Sequence, residues 1–357
     1  MRGPGRPRSW LGRSWPWLKY LVGLGVAALA LWALAGRRGE LSGASTTLAH
    51  MNWWWVVVAA VAEAGSLVAF GIVQRRLLEA GGVELSTLRC TAVTAASTAI
   101  ANSMPAGPVV ASVFAFRQYR QKGADEALAG WTLVAVFVAA SVSLALVAAV
   151  GVAVAGAEGA SLDLVGVTVA VLLGALAMGA VFLQRRALVW VVAAAVATSR
   201  RLVRWPQGEA AAVVDGFVGR LTTVRLSARQ VLSVVSWGIG NWILDCACLA
   251  LSFLAVGAAI PWRGLLLAYG AGQLAANLPI TPGGLGVVEG SLTIALTQFV
   301  PGGARASTVL VVLLYRILSF WLELPVGWVT WGALAWARRP TTAYTPVPDG
   351  VAEEIGS

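Results

Sequence analysis

The strongest constraint on this chain is a set of apolar runs, each long enough to cross a lipid bilayer. A membrane helix needs about 20 mostly apolar residues to span a hydrocarbon core of about 30 Å. Runs of that kind occupy Tyr20–Gly36, Trp53–Val73, Ala127–Ala157, Leu164–Leu183, Val231–Val256 and Ala306–Ala337. Composition agrees with them. Of the 357 residues, 58% are hydrophobic and 12% are charged, against about 25% charged in soluble chains. A soluble enzyme and a disordered protein are both excluded. The expected fold class is all-α, a polytopic membrane helix bundle.

Two further apolar regions, Thr87–Phe116 and Gly264–Val300, are broken near their centres. The breaks read Asn102-Ser-Met-Pro105-Ala-Gly107-Pro108 and Asn277-Leu-Pro-Ile-Thr281-Pro282-Gly283-Gly284. Each half holds roughly 15–17 residues, about 22–25 Å of helix, which is short for a crossing. Paired half-helices that enter and leave on one side fit this length better. The expected architecture is therefore about six full spans plus two re-entrant broken-helix hairpins.

The net charge of +10 raises the question of nucleic acid, and the positions of the cations answer it. With the N-terminus cytoplasmic, segments 1–19, 74–89, 117–126, 184–230 and 338–357 are internal and hold 21 of the 26 Lys and Arg residues. The outer loops hold four, and Arg316 lies within a span. Short loops rich in Lys and Arg stay cytoplasmic, so the charge sets topology and no nucleic-acid partner is expected. The N-terminal run is read as an uncleaved first helix despite its resemblance to a secretory signal. Three parts follow: a basic cytoplasmic segment 1–19, a transmembrane domain 20–338, and a disordered cytoplasmic tail 339–357. Within the second, 184–230 is cytoplasmic, and Ala210, Val213, Val214, Phe217, Val218 and Leu221 recur at helical spacing, as in an interfacial helix. Trp53-Trp54-Trp55 at the outer face and Trp331 and Trp336 at the inner face read as interface anchors.

The two broken regions sit in similar surroundings, each with a long span before and after. The charge-derived orientation makes the first hairpin open inward and the second outward. This is the pattern of an inverted-topology repeat, in which interrupted helices meet near the midplane and mark the substrate site.

Five charges lie in the spans: Glu63, Asp245, Glu289, Arg316 and Glu323. Such groups are costly in hydrocarbon and face a polar cavity or one another. Arg316 is expected to pair with Glu289 or another helix's acid, and Glu63 and Asp245 to share a cavity. These acids either hold the bundle together, meet substrate directly or carry a proton. Thr281-Pro282-Gly283-Gly284 has the order of a helix start, with Thr as cap and Pro in the first turn. A helix start there offers amides and a positive dipole end to an anion such as a lipid phosphate; the alternative is a plain turn between two membrane helices. Arg117, Arg120 and Lys122 follow the first hairpin and either set topology or hold anionic head groups. Cys90, Cys246 and Cys248 all lie in apolar stretches and read as buried hydrophobes. No phosphate-binding Gly-x-x-x-x-Gly-Lys loop, His cluster or paired-acid motif is present in the sequence. Neither catalytic residues, a metal nor a cofactor is expected.

At this level of detail the sequence resembles the lysylphosphatidylglycerol synthase transmembrane-region family of flippase-like membrane proteins. The carrying residues are Leu278-Pro-Ile-Thr-Pro-Gly-Gly-Leu-Gly286-Val-Val-Glu289, then Tyr315-Arg316, Trp242-Ile-Leu-Asp-Cys-Ala-Cys-Leu249, and Asn102, Pro105, Gly107 and Arg117 in the first half. The first motif departs from the family's common pattern, with Pro108-Val-Val where a polar or acidic residue is more usual. The resemblance covers roughly residues 20–338. It implies lipid handling: in one branch the membrane region moves aminoacylated phosphatidylglycerol made by a separate soluble aminoacyltransferase domain, and synthase activity is not expected here. The resulting expectation is a lipid translocase of the cytoplasmic membrane with both termini cytoplasmic. Membrane lipids are its expected partners, with a head group at Asn102, Pro105, Gly107, Arg117, Asn277, Thr281, Pro282, Gly283, Gly284, Gly286, Glu289 and Arg316. The alternative is a non-transporting scaffold for a glycosyltransferase, a lipid-synthesis enzyme or another envelope-assembly enzyme.

Overall fold

The computed structural model describes residues 51–104, 107–156, 226–276, 282–300 and 305–337, with isolated positions between 170 and 184. Regular structure among these is helical throughout. In chain order the elements are α1 (Trp53–Ala80), α2 (Thr87–Ser103), α3 (Gly107–Arg120), α4 (Glu126–Gly156), α5 (Ala228–Val256), α6 (Trp262–Ala276), a 3-10 turn (Pro282–Gly284), α7 (Val287–Thr297), α8 (Arg305–Arg316), a π turn (Ile317–Trp321) and α9 (Glu323–Trp336). Four stretches are long and apolar enough to cross a membrane: Trp53–Ala80, Glu126–Ala155, Ala228–Val256 and Ser307–Trp336. The expected spans Tyr20–Gly36 and Leu164–Leu183, the interfacial helix in 184–230 and the C-terminal tail lie outside the described residues, apart from isolated positions of the second.

Local chemistry explains the boundaries. The Asn52 side chain accepts from the Trp54 amide at the start of α1, and Ser86 accepts from Arg89 at the start of α2. Ser227 and Gln230 form a reciprocal capping box on α5, which ends at Gly257 in the left-handed region. These are the ordinary devices that satisfy free amides and carbonyls at helix ends.

Both broken regions are broken in the structure. α2 ends at Met104, which is extended as the residue before a proline should be. α3 begins at Gly107, where a side chain would collide with the Ala101 carbonyl. The second break is the Pro282–Gly284 turn, with Gly283, Gly284 and Gly286 at φ of 63°, 68° and 81°. The four half-helices have 17, 14, 15 and 11 residues, roughly 16–26 Å each, and none reaches across alone.

Elements distant in sequence pack together. α1 packs along α5; α2 packs on α9 of the last span, and α6 packs on α4. Two large apolar cores and a small one around Val152, Ala155 and Leu267 result among the described residues. One large core gathers the C-terminal half of α1 with α2, α3 and the start of α4. The other gathers Ala59 of α1 with α5, α6, α7 and α8. Buried polar contacts tie the first hairpin down: Tyr119 of α3 donates to Gln74 of α1 at 3.0 Å, and Gln74 donates to Thr94 of α2 at 2.9 Å. Trp53, Trp54 and Trp336 are exposed, as residues meeting an interface would be.

Small residues allow the close approach of α9 to α2. A side chain at Gly327 would meet the Ala95 carbonyl and Ala99 Cβ, whereas one at Gly332 would meet open space. Membrane helices associate through such small-residue contacts. Gly327→Val is therefore expected to destabilise the protein by about 1–3 kcal/mol and Gly332→Val to leave it nearly unchanged, read as melting of the full chain in detergent.

Candidate functional site where the two breaks meet

The second break lies against the first. The space a Gly283 side chain would fill is occupied by the Phe320 ring and lies 3.5 Å from the Asn102 carbonyl. Glycine at a left-handed φ is what permits this approach. The ends of both hairpins' first halves are thus brought to one place, beside the π turn.

Arg316 occupies that junction and is 8% exposed. Its Nε donates to Glu289 Oε1 at 2.8 Å, and its terminal nitrogen donates to the Gly283 carbonyl at 3.1 Å. Its guanidinium carbon stands 4.4 Å from the centre of the Phe320 ring, a cation–π contact. Glu289 Oε2 accepts from the Gly286 amide at 2.6 Å. One carboxylate therefore neutralises the arginine and caps α7 together. The expected Arg316–Glu289 pairing is present.

The helix start differs from the sequence reading. Thr281-Pro282-Gly283-Gly284 does not open the α-helix: Pro282–Gly284 is a 3-10 turn and α7 begins at Val287, after Gly286. Three left-handed glycines cannot continue a right-handed helix, so the chain turns before it coils. The free amide end is real, but the protein's own Glu289 occupies it.

A second polar group lies beside the first. Asp245 of α5 accepts from Tyr269 at 2.7 Å and Gln273 at 3.1 Å, both on α6, through Oδ2. Its Oδ1 accepts from Tyr315 of α8 at 2.8 Å. Tyr315 is Arg316's neighbour in sequence, so the two groups share a helix turn. Glu63 of α1 and Glu323 of α9 lie within electrostatic reach of Asp245. Glu63 and Asp245 are thus neighbours. Asn241, one turn before Asp245, meets Ser66 of α1 at 3.0 Å.

Of the expected head-group residues, the structure gathers Asn102, Gly283, Gly286, Glu289 and Arg316, with Gly284 packed on Val288 and Ala276. Gly107 follows the first break and is filled by backbone. Arg117 lies ten residues along α3 from Gly107, about 15 Å. It lines a separate groove of about 440 Å³ with Ser112, Val113, Phe116 and Leu133. Pro105, Asn277 and Thr281, and the ring of Pro282, lie outside the described residues. Sequence reading missed Tyr269, Gln273 and Phe320. The first two are an i, i+4 polar pair inside an apolar half-helix, a signal that was there to find.

No group of His, Cys, Asp and Glu suited to a metal ion occurs among the described residues. The three cysteines are free and buried. In comparison with known proteins, the family profile described as lysylphosphatidylglycerol synthase TM region matches residues 20–327. The search of curated proteins gives no match.

The Arg316–Glu289 pair makes a stability test. Arg316→Met strands a partly buried carboxylate, an expected loss of about 3 kcal/mol. The double variant Arg316→Met/Glu289→Met is expected to lose less than the sum of the two single changes, measured by melting of the full chain in detergent.

Proposed function

The chain belongs to the lysylphosphatidylglycerol synthase transmembrane-region family, and from that premise we propose that it is a lipid translocase of the cytoplasmic membrane. The reading has six spans, two re-entrant hairpins in an inverted repeat, and both termini in the cytoplasm. The matched element pairs favour the repeat: exchanging the two halves carries the α2–α9 contact onto the α6–α4 contact. Half-helices too short to cross favour re-entrance. The chain moves the lipid and leaves its covalent structure unchanged.

One observation carries the proposal: a buried arginine held where two broken helices meet, with an amide end and a carboxylate already in place. A lipid phosphate has the charge and geometry to take over what Glu289 now accepts, the Arg316 guanidinium and the Gly286 amide. Glu289 then acts as a placeholder. It keeps the cation satisfied in the empty state and competes the phosphate off at the end of the movement. A group that only bound phosphate would hold it; a group with an internal competitor can release it.

The exposed side of this junction is suited to a head group whose acyl chains stay in the bilayer. Glu289 is the more exposed partner, with 19% of its side chain accessible against 10% for Arg316. An entering anion meets the carboxylate before the arginine, which fits displacement.

The test is movement of labelled phospholipids between leaflets by the purified full chain in liposomes, using a panel of anionic, aminoacylated and polyprenyl lipids. Movement of at least one lipid is expected. Glu289→Gln and Arg316→Ala are expected to slow it tenfold or more, a change of about 1.4 kcal/mol or more in barrier, at equal protein in the membrane. No movement of any lipid contradicts the reading and favours a scaffold. A product of altered mass favours a lipid-modifying enzyme.

A further inference from the structure

The Arg316–Glu289 pair leaves a charge imbalance behind it. Glu63, Asp245 and Glu323 come from three different elements, α1, α5 and α9, and lie within electrostatic reach of one another. Among the described residues, Arg316 is the cation that acts on Asp245 and Glu323, and it is already paired with Glu289. Ionised together, these side chains would set four carboxylates against one guanidinium within apolar spans. Uncompensated charges are costly there and are retained only with a partner or a ligand.

The side chains differ in how they are met. Asp245 has both oxygens filled by neutral donors, Tyr269, Gln273 and Tyr315. Glu63 is different: it is 7% exposed, and its Oε2 has no hydrogen-bond partner. The titratable groups that face it are Asp245 and Cys248 of α5, Glu323 of α9 and Tyr315 of α8. None of these is a cation. The Cys248 thiol is a neutral donor within reach of the Glu63 carboxyl, but a buried carboxylate oxygen beside other acids and without a hydrogen-bond partner has a place for one hydrogen. No metal-holding arrangement occurs among the described residues.

We propose that Glu63 with Asp245 and Glu323 forms a proton-binding site, linked to the Arg316–Glu289 junction through Tyr315. The bound proton sits on Glu63 and is shared toward the neighbouring acids. The link is covalent and short. Tyr315 donates to Asp245 and is followed by Arg316, so an arginine released from Glu289 alters both the charge and the hydrogen bonding of the acid group. Anion binding at Arg316 and proton occupancy at Glu63 therefore depend on each other, and that dependence must be reciprocal. The site itself stands on geometry and charge balance. Its use to drive lipid movement from a proton gradient rests on the translocase reading.

Infrared difference spectroscopy of the full chain in liposomes tests the site without any transport. At neutral pH a protonated-carboxyl C=O band is expected, moved by D2O, and moved again when the unaltered chain is made with carboxyl-13C glutamate. The band is expected to vanish in Glu63→Gln and to survive in Glu323→Gln. No such band in the folded protein, a band insensitive to labelled glutamate, or one that survives Glu63→Gln overturns the proposal. The isotope result separates a glutamate from Asp245, and where Glu63→Gln fails to fold, survival of the band in Glu323→Gln assigns it to Glu63, whereas its loss there overturns the proposal. For the link, Glu289→Gln frees Arg316, which acts on Asp245 and Glu323, and is expected to change the pH at which the band bleaches; an unchanged pH overturns it.

Discussion

A charge in hydrocarbon must be answered by the protein itself, and this constraint organises the structure around Arg316. Its guanidinium takes a carboxylate, a backbone carbonyl and an aromatic face from three places in the second half of the chain. Each contact exists because the helices break where they do. The Gly283 carbonyl is available because the 3-10 turn is not part of a helix ladder. Glu289 reaches both Arg316 and the Gly286 amide because α7 starts only after Gly286. The two hairpins are held to the same spot by Phe320 and Asn102 packing against Gly283. The ion pair orders the second break, and the Gly283 contact joins it to the first.

The bundle around this junction is assembled from small residues and buried polar ties. Gly327 lets α9 rest on the backbone of α2, and Gly238 of α5 faces Ser143 of α4. Where lipid supplies no hydrophobic drive between helices, close packing and hydrogen bonds hold them. Gln74, Thr94 and Tyr119 do this for the first hairpin, and Asp245, Tyr269, Gln273 and Tyr315 for the second. The two sets are not equivalent. The first is neutral, while the second is built on an acid beside two further acids, so the ionisable groups gather around the second set.

Much of this was legible in the sequence, because hydropathy is read one element at a time. Apolar length gave the four spans that the structure describes, and the Pro and Gly clusters marked both breaks. A charge inside an apolar run is conspicuous, so Arg316 was expected to meet Glu289 or another helix's acid, and the structure selects Glu289. What was not legible depended on backbone detail. The helix after the second break starts at Val287 because three glycines turn left-handed, and Thr281-Pro282 is a misleading start signal. The π turn at Ile317–Trp321 lies just before Pro325, which has no amide to return to the Trp321 carbonyl. That proline was a usable signal. Arg117 was grouped with the site on its motif and on its place after the first hairpin, and the length of α3 places it elsewhere.

The central claim is that Glu289 occupies a seat made for a lipid phosphate. Equilibrium binding of a short-chain anionic phospholipid to the full chain in detergent tests it directly, comparing the unaltered protein with Glu289→Gln and Arg316→Ala. A placeholder competes with its ligand, so Glu289→Gln is predicted to bind the lipid about tenfold more tightly, roughly 1.4 kcal/mol, while Arg316→Ala loses binding. Weaker binding by Glu289→Gln would contradict the account, because it would make the carboxylate a direct holder of the head group and not its competitor.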